Sequence, residues 1–270
     1  MAFIGVLDSG VGGLSVLREI HQLLPGVSTL YFADQGNLPY GPRDPEDLRR
    51  LVTSISEYLI SLGASVIVLA CNSASAASLL AIRERYPHIP FVGMEPAVKP
   101  AVAQTETGVI AVLTTQATAG GVLYRRVLER YTRNVRVITQ VSPGLVTLVE
   151  AGTQATPEGL AVVRSYVEPA LIEGADQIVL ACTHFPFVAE QIAQVAGDRA
   201  QVVDPSAAIA RQVARVLPPD FVPSAAEHRY FTSGPLEPFI DMTRRLMAQH
   251  IPSEAFQALH HADGRITAAD

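Results

Sequence analysis

The sequence predicts an α/β protein made of two pseudo-symmetric, doubly wound parallel-sheet domains, with its functional site in the cleft between them. Short β-branched apolar runs alternate with helical stretches along most of the chain, which is the pattern of βαβ units. Two segments, residues 66–74 and 177–185, are near copies, and each contains one of the two cysteines. Residues 3–10 and 109–116 form a second similar pair. Two related halves explain both repeats better than one large sheet does.

The alternation gives the elements in order. The first half is predicted as strand 3–7, helix 12–24, strand 30–33, helix 45–62, strand 65–70 and helix 74–85. The second half is predicted as strand 109–113, helix 120–131, strand 135–138, strand 178–181 and helix 187–195, and the tail as a strand at 229–232. The strands are continuous apolar runs, which is typical of parallel strands buried on both faces.

Two turn-rich stretches divide the chain into domains. Residues 93–100 contain two prolines and a glycine and mark the first crossover, and residues 203–206 mark the second. The first domain is therefore predicted to comprise residues 1–97 plus 207–270 and to carry Cys71. The second is predicted to comprise residues 98–206 and to carry Cys182.

Composition limits the class of function. The 270 residues carry a net charge of −6, which argues against a nucleic-acid surface because such a surface needs a basic stripe. No apolar run approaches the roughly 18 residues of a membrane span. The start of the chain enters a strand at once and has no basic leader region. We therefore expect a cytoplasmic protein with no nucleic-acid and no membrane partner, in which both cysteines stay reduced.

The cysteines are the first candidates for chemistry. Cys71 and Cys182 each end a predicted strand, and open α/β sheets bind ligands at the carboxyl ends of their strands. A helix beginning just after each cysteine would favour the thiolate. Three alternatives remain: structural burial of both thiols, a metal site with His184, and a thiol hydrolase that uses Cys182 alone. The metal site lacks the paired spacings of structural zinc sites, and the hydrolase leaves the duplicated cysteine without a role.

A glycine-rich turn after the first strand presents Asp8 and Ser9. It invites a dinucleotide-binding interpretation with Asp34 as the ribose acid, but Ser15 stands at the third glycine position of that fingerprint. Asp8 would also place a carboxylate beside the pyrophosphate. We expect instead that the turn offers Asp8 and Ser9 to a small polar ligand, with capping of the next helix as the alternative role of Asp8.

Three further positions are candidates with ordinary structural alternatives. The loop at residues 37–43 could offer Tyr40 and backbone amides to a ligand, or could be a simple Pro/Gly turn. His184 could polarise Cys182 or could serve the core alone. Glu150, taken alone, suits an exposed surface position.

These motifs together resemble the cofactor-independent aspartate/glutamate racemase superfamily. The similar segments occur in the family's order and are residues 8–16, 39–41, 71–75, 95–97, 148–150 and 181–186. Ser73 stands where the family usually has Thr, Ser142 replaces the Cys of a Cys-Pro pair, and Thr147 stands where a Pro usually precedes Leu-Val-Glu.

The resemblance implies an isomerase that interconverts L-glutamate and D-glutamate with two thiols, without cofactor or metal, and supplies D-glutamate for peptidoglycan, cell-wall biogenesis and cell shape. It implies that Cys71 takes the proton from D-glutamate and Cys182 from L-glutamate, with Asp8, His184 and Glu150 assisting. It also implies a homodimer. The implied substrate-binding residues are Asp8, Ser9, Pro39, Tyr40, Gly41, Asn72, Ser73, Thr115, Thr118, Thr183 and His184.

Other functions stay open at this point. A racemase of the same superfamily could act on aspartate or a hydantoin, and would differ in how it binds the distal group. A non-enzymatic binding role would need an additional surface feature, which the sequence does not display. A pyridoxal-phosphate enzyme needs a Schiff-base lysine, and Lys99, followed by Pro100, is the single lysine of the chain.

Overall fold

Eleven strands form two sheets in the part of the chain that the structure describes. The structure is a computed structural model, and it describes residues 3–219, 221 and 226–268. The strands are β1 (Phe3–Asp8), β2 (Thr29–Ala33), β3 (Ala64–Leu69), β4 (Phe91–Gly93), β5 (Val109–Thr114), β6 (Arg136–Val141), β7 (Gln177–Ala181), β8 (Gln201–Val203), β9 (His228–Thr232), β10 (Phe256–Ala262) and β11 (Arg265–Ala268). The helices are α1 (Leu14–Leu23), α2 (Pro45–Ser61), α3 (Asn72–Arg85), α4 (Val98–Gln104), α5 (Gln116–Gly120), α6 (Val122–Tyr131), α7 (Pro143–Ala151), α8 (Pro157–Ile172), α9 (Ala189–Ala196), α10 (Ser206–Val216) and α11 (Leu236–Met247).

The first sheet has seven strands in the order β11-β10-β9-β2-β1-β3-β4. The interior strand β1 pairs in parallel with β2 and β3, so that Val6 lies opposite both Tyr31 and Val68. The last 41 described residues, from β9 onward, add three strands to one edge of this sheet. β10 and β11 pair antiparallel, so the predicted all-parallel sheet is corrected at that edge. A tight turn at Asp263 and Gly264, both with positive φ, reverses the chain there.

The second sheet has four parallel strands in the order β6-β5-β7-β8. This order matches β2-β1-β3-β4 of the first sheet, strand for strand. The equivalent strands β1 and β5 contain the repeat at residues 3–10 and 109–116, and their neighbours β3 and β7 lead into the cysteine repeat at residues 66–74 and 177–185. The repeats detected in the sequence are therefore equivalent strands of two similar sheets. The domain boundaries stay a prediction, and the chain passes from one sheet to the other between β4 and β5 and again after β8.

Helices cover both faces of the first sheet, which is why its strands are apolar throughout. Val6 packs with Leu17 of α1, on the face that α10 and α11 also cover. Leu7, the next residue of β1, packs with Leu48 of α2 on the opposite face. Successive side chains of a strand point to opposite faces, so a strand buried on both sides needs an unbroken apolar run.

The chain at the start of the predicted helix 120–131 is interrupted, and two helices meet there. The expected helix 120–131 begins in the structure as α6 at Val122, and a separate short helix, α5, ends at Gly120. Gly121 between them is extended, and a Cβ on it would lie 2.7 Å from the Cβ of Ala76 in α3. The interruption lets the chain approach α3 closely, which helical periodicity alone does not reveal.

Within the described ranges, none of the helices combines the length and the apolar character needed to cross a membrane.

Candidate active site

Both thiols face one cavity of about 380 Å³ between the two sheets. Cys71 follows β3 and is the N-cap residue of α3, and Cys182 follows β7. β3 pairs with β1 and β7 pairs with β5, which are equivalent places in the two similar sheets, so each sheet brings one thiol to the same space. Cys71 is 5% exposed and Cys182 is 7% exposed, and both are free. The site is therefore built from one sulfur of each half.

The surroundings of the Cys71 thiol hold it in its neutral form. Burial and the nearby Asp8 carboxyl raise the pKa of Cys71 to about 12, and the charge of Cys182 adds to this effect. A hydrogen bond from the backbone at Ala74 and the Ser9 hydroxyl, 3.8 Å from the Cys71 sulfur, oppose the shift without cancelling it. A thiolate formed in such a place is a strong base because its conjugate acid is weak.

This raised pKa predicts a specific pH profile of alkylation. In Cys182→Ser, where Cys71 is the single thiol, the rate of reaction with iodoacetamide should keep rising with pH to beyond 10. The rate follows the thiolate fraction, so the pH of its plateau reports the pKa even where access is slow. The same variant unfolded in denaturant should level off near pH 9, because the thiol is then solvated. A plateau near pH 9 in the folded protein would contradict the burial of this thiol. Alkylation is measured by intact-mass spectrometry.

His184 connects Cys182 to Glu150. The imidazole Nδ1 lies 3.8 Å from the Cys182 sulfur, and Nε2 lies 2.7 Å from Oε1 of Glu150. Burial alone would lower the pKa of His184, but the thiol and the carboxylate outweigh it and hold the pKa well above its usual range. Burial would raise the pKa of Glu150, but His184 and the amide of Val11 bring it below its usual range. The pair is therefore an imidazolium and a carboxylate, placed next to one of the two thiols.

The glycine-rich turn after β1 makes this pair possible. A Cβ at Gly12 would lie 2.4 Å from Nδ1 of His184, and a Cβ at Gly10 would lie 2.3 Å from Oε1 of Glu150. Side chains at these two positions would push the imidazole and the carboxylate away. The turn also donates the Val11 amide to Glu150 at 3.1 Å. The two glycines are needed for close approach, not for a phosphate.

Asp8 lies behind the cavity and is fully buried. Its carboxylate accepts hydrogen bonds from the Gly10 amide at 2.9 Å and from the Thr183 hydroxyl at 3.1 Å. Burial raises the pKa of Asp8, while the charge of His184 and the turn amides partly oppose this. No capping bond from Asp8 reaches α1, whose N-cap is Gly13. Asp8 thus joins the first half of the chain to the strand end that carries Cys182.

Most of the expected substrate-binding residues border the cavity. Those that do are Ser9, Pro39, Tyr40, Gly41, Asn72, Ser73, Thr115, Thr183 and His184. Asp8, Glu150 and Thr118 stand one contact further back, and the Thr118 hydroxyl accepts a hydrogen bond from Thr115 at 3.0 Å. The Ser73 and Thr115 hydroxyls, one from each half, lie 2.9 Å apart. The roles of all these residues remain predictions.

Asn72 has a feature that points to a ligand. Its side chain is 3% exposed and borders the cavity, yet neither its amide nitrogen nor its oxygen has a hydrogen-bond partner among the described residues. Buried polar groups without partners are costly, so such a group at a cavity is suited to a polar ligand.

Sequence reasoning missed several residues of the site. Val141, Pro143, Val146 and Thr147 form much of the cavity wall contributed by the second half. Val141 ends β6 and the other three lie in the first turns of α7, and the equivalence of β6 with β2 could have drawn attention to them. Gln35 was also missed, and its amide donates to Oε2 of Glu150 at 3.4 Å.

Comparison with known proteins decides the family. A family model described as Asp/Glu/Hydantoin racemase matches residues 4–213, which include both thiols and all the candidate residues. The chain belongs to this racemase family. It is 47% identical over 237 residues to a glutamate racemase from Ectopseudomonas mendocina, covering 87% of this chain and 90% of the relative.

Solved structures of racemases show the same fold. A glutamate racemase isoform from Bacillus anthracis matches with a TM-score of 0.84 and 29% identity, covering 98% of both chains. The Escherichia coli glutamate racemase, solved with L-glutamate and the activator UDP-MurNAc-ala, matches with a TM-score of 0.82 and 29% identity, covering 96% of this chain and 99% of the other. The predicted α/β class with two sheets is confirmed by these matches.

Proposed function

We propose that this racemase interconverts L-glutamate and D-glutamate by a two-base mechanism that uses Cys71 and Cys182. The observation that carries the proposal is that equivalent strands of two similar sheets place one thiol each at a single cavity. Inversion of an α-carbon requires proton removal on one face and proton delivery on the other. Two thiols on opposite sides of one substrate supply both steps.

The surroundings of the two thiols support different roles. Cys71 is neutral and ready to donate a proton, because burial and Asp8 raise its pKa to about 12. Cys182 lies 3.8 Å from Nδ1 of the His184 imidazolium, and we assign it the role of the base. This form suits substrate of the L hand, with Cys182 as base and Cys71 as acid. After one turnover of L-glutamate, Cys182 carries the proton and Cys71 has lost its own. The enzyme in that form is ready to react with D-glutamate.

Neutral donors can hold the two carboxylates of glutamate. Neither lysine nor arginine is among the cavity's lining residues in the described part of the chain. Hydroxyls of Ser73, Thr115 and Thr183, the amide of Asn72 and the amino-terminal end of α3 take their place. Anions bind well at the amino-terminal end of a helix, where backbone amides are free. The chemistry therefore fits a small dicarboxylate.

A circular-dichroism assay tests the function. Protein dialysed against a chelator, without added cofactor, should racemise L-glutamate and D-glutamate to the same final mixture. L-aspartate and a substituted hydantoin are the comparison substrates, since the family name includes both classes. Faster turnover of either one would replace glutamate as the substrate. Loss of activity after chelation and its return with zinc would replace the thiol pair by a metal site.

Changing Glu150→Gln should lower kcat/KM equally for L-glutamate and D-glutamate, because two enantiomers have the same free energy. The Glu150 carboxylate helps to hold the pKa of His184 high, so the variant lowers that pKa and weakens the positive charge beside Cys182. The acidic form of His184 is then lost at lower pH, and kcat/KM in both directions should fall about tenfold at neutral pH and decline earlier on the alkaline side. The pH profiles of both directions are measured. Glu129→Gln, an exposed acid on α6, is the control, and identical profiles for the two variants would show that Glu150 has no part in the chemistry.

We also propose a cytoplasmic homodimer that supplies D-glutamate for peptidoglycan, as the resemblance implies. Exposed apolar side chains on two helices that pack together, Leu80 of α3 and Val122 of α6, are candidates for the subunit contact. Sedimentation velocity measures the oligomeric state.

A further inference from the structure

A second buried carboxylate, Asp34, has no part in the proton transfer described above. Asp34 is fully buried and follows β2. Its Oδ1 accepts hydrogen bonds from Nδ1 of His261 at 2.8 Å, from the Ser233 hydroxyl at 2.7 Å and from the Asn37 amide at 3.0 Å. Its Oδ2 accepts one from the Tyr40 hydroxyl at 2.6 Å. These donors outweigh burial and keep the pKa of Asp34 below its usual range.

His261 reaches Asp34 from the last part of the chain. It belongs to β10, and its side chain is fully buried against Asp34. A carboxylate oxygen can only accept, so Nδ1 of His261 must carry a proton and donate it. The other ring nitrogen, Nε2, lies 2.7 Å from the Ser54 hydroxyl of α2. Both nitrogens are therefore in contact, and the ring orientation is fixed from two sides.

Tyr40 connects this network to the cavity. Its ring is 1% exposed and borders the cavity with Leu38, Pro39 and Gly41. The hydroxyl end of Tyr40 is held by Asp34, while the carbonyl of Gly41 accepts the amide of Ala117 from the second half at 2.9 Å. The loop at residues 38–42 is thus held at Tyr40 through Asp34 and at Gly41 across the cleft.

We propose that His261 is a positioning residue for the substrate loop, residues 38–42, acting through Asp34 and Tyr40. The C-terminal strand β10 thereby sets the shape of a cavity that it does not border. The link to catalysis rests on the proposed function, but the link to loop order does not. The two can be tested separately.

The first test is hydrogen exchange of the loop without substrate. His261→Leu removes both ring contacts, and amides in peptides covering residues 35–43 should exchange about tenfold faster, since a hydrogen bond to a charged group is lost. His261→Asn should restore slow exchange, because its amide nitrogen replaces Nδ1. His260→Leu is the matched control, since His260 is the exposed neighbour on the same strand. Equal exchange in the His261→Leu and His260→Leu proteins would overturn the proposal.

The second test separates positioning from general stability. With glutamate in both directions, His261→Leu should raise KM about tenfold with a smaller change in kcat, because the loop binds substrate and does not react. Tyr40→Phe should give the same KM-against-kcat pattern, and the double variant should be no worse than either single variant, because both break one connection. An increase in KM of the double variant equal to the product of the two single increases would overturn the proposal. A lower melting temperature with unchanged KM in His261→Leu would also overturn it.

Each possible failure has a distinct result. If His261→Leu does not fold, Tyr40→Phe breaks the same connection without altering β10, and its exchange at residues 35–43 decides the question. If the unaltered protein does not racemise glutamate, the proposed function fails, and the exchange comparison still tests the positioning role.

Discussion

Replacing either thiol by serine should reduce racemisation of glutamate in both directions by about 10³-fold or more, within the range that general acid–base groups contribute. A hydroxyl is a far weaker acid than a thiol, so serine can neither form the base nor return the proton at a useful rate. The loss of kcat/KM should be equal for L-glutamate and D-glutamate, because each direction uses both sulfurs. Circular dichroism follows both reactions, and thermal melting checks that each variant remains folded.

Elimination from a substrate analogue shows which thiol removes the α-proton of which enantiomer. Loss of HCl from a 3-chloroglutamate needs one base to take the α-proton while chloride leaves, so each single variant should retain it for one enantiomer. Cys71→Ser should act on the L hand through Cys182, and Cys182→Ser on the D hand through Cys71. Each variant is thus the control for the other. Racemisation near the unaltered rate in either variant, or elimination from both hands in one of them, would contradict the two-base mechanism.

Changing Asp8→Asn should lower kcat by about 10²-fold while the melting temperature changes little. The amide keeps an oxygen that can accept from the Gly10 amide or from Thr183, so the fold loses about 1 kcal/mol at this fully buried position. The reaction loses the charge that helps to set the pKa of Cys71. Without it that pKa should fall, so the alkylation plateau of Cys71 should move to lower pH.

A turn of the same kind supplies the control for Asp8. Asp204 accepts the amide of Ser206 at 2.8 Å, two residues on, as Asp8 accepts that of Gly10. Asp204→Asn alters that turn at an exposed position that is not among the residues lining the cavity. A large drop in melting temperature with kcat preserved in Asp8→Asn would mean that Asp8 only supports the turn. A different loss in the two directions would assign Asp8 to the Cys71 side.

The sequence predicted the sheets well because their strands are buried on both faces. Such strands are unbroken apolar runs, as in β3 and β7, and their polar ends mark the ligand edge. The C-terminal strands were harder to foresee. β10 contains His260 and His261 and ends near a turn, so its composition is not that of a central strand. The position of β10 in the sheet depends on its pairing with β9. Such a tertiary contact is not indicated by the residues of the strand itself.

Some residues of the candidate site can be predicted from the sequence, and others cannot. Cys71, Cys182 and the glycine-rich turn were found because each has a chemical or conformational peculiarity. Glu150 suits an exposed surface position when taken alone, yet the structure places it in hydrogen bonds with His184 and with the amide of Val11. Asp34 suits a ribose acid by its position in the sequence, yet besides nearby Asn37 and Tyr40 it binds two residues that lie more than 190 positions away, Ser233 and His261. Long-range partners of this kind leave no trace in local spacing.

The separation of the first sheet along the chain has a consequence for biosynthesis. The four strands of the second sheet come from one continuous stretch, β5 to β8, and can pair as soon as that stretch leaves the ribosome. The seven-stranded sheet begins with the first described residues but needs β9 to β11, which are translated after the whole second sheet. Domains usually fold as units during synthesis. The sheet that is begun first is therefore completed after the second one, and a nascent chain gains its finished substrate loop only after β10 has been synthesised.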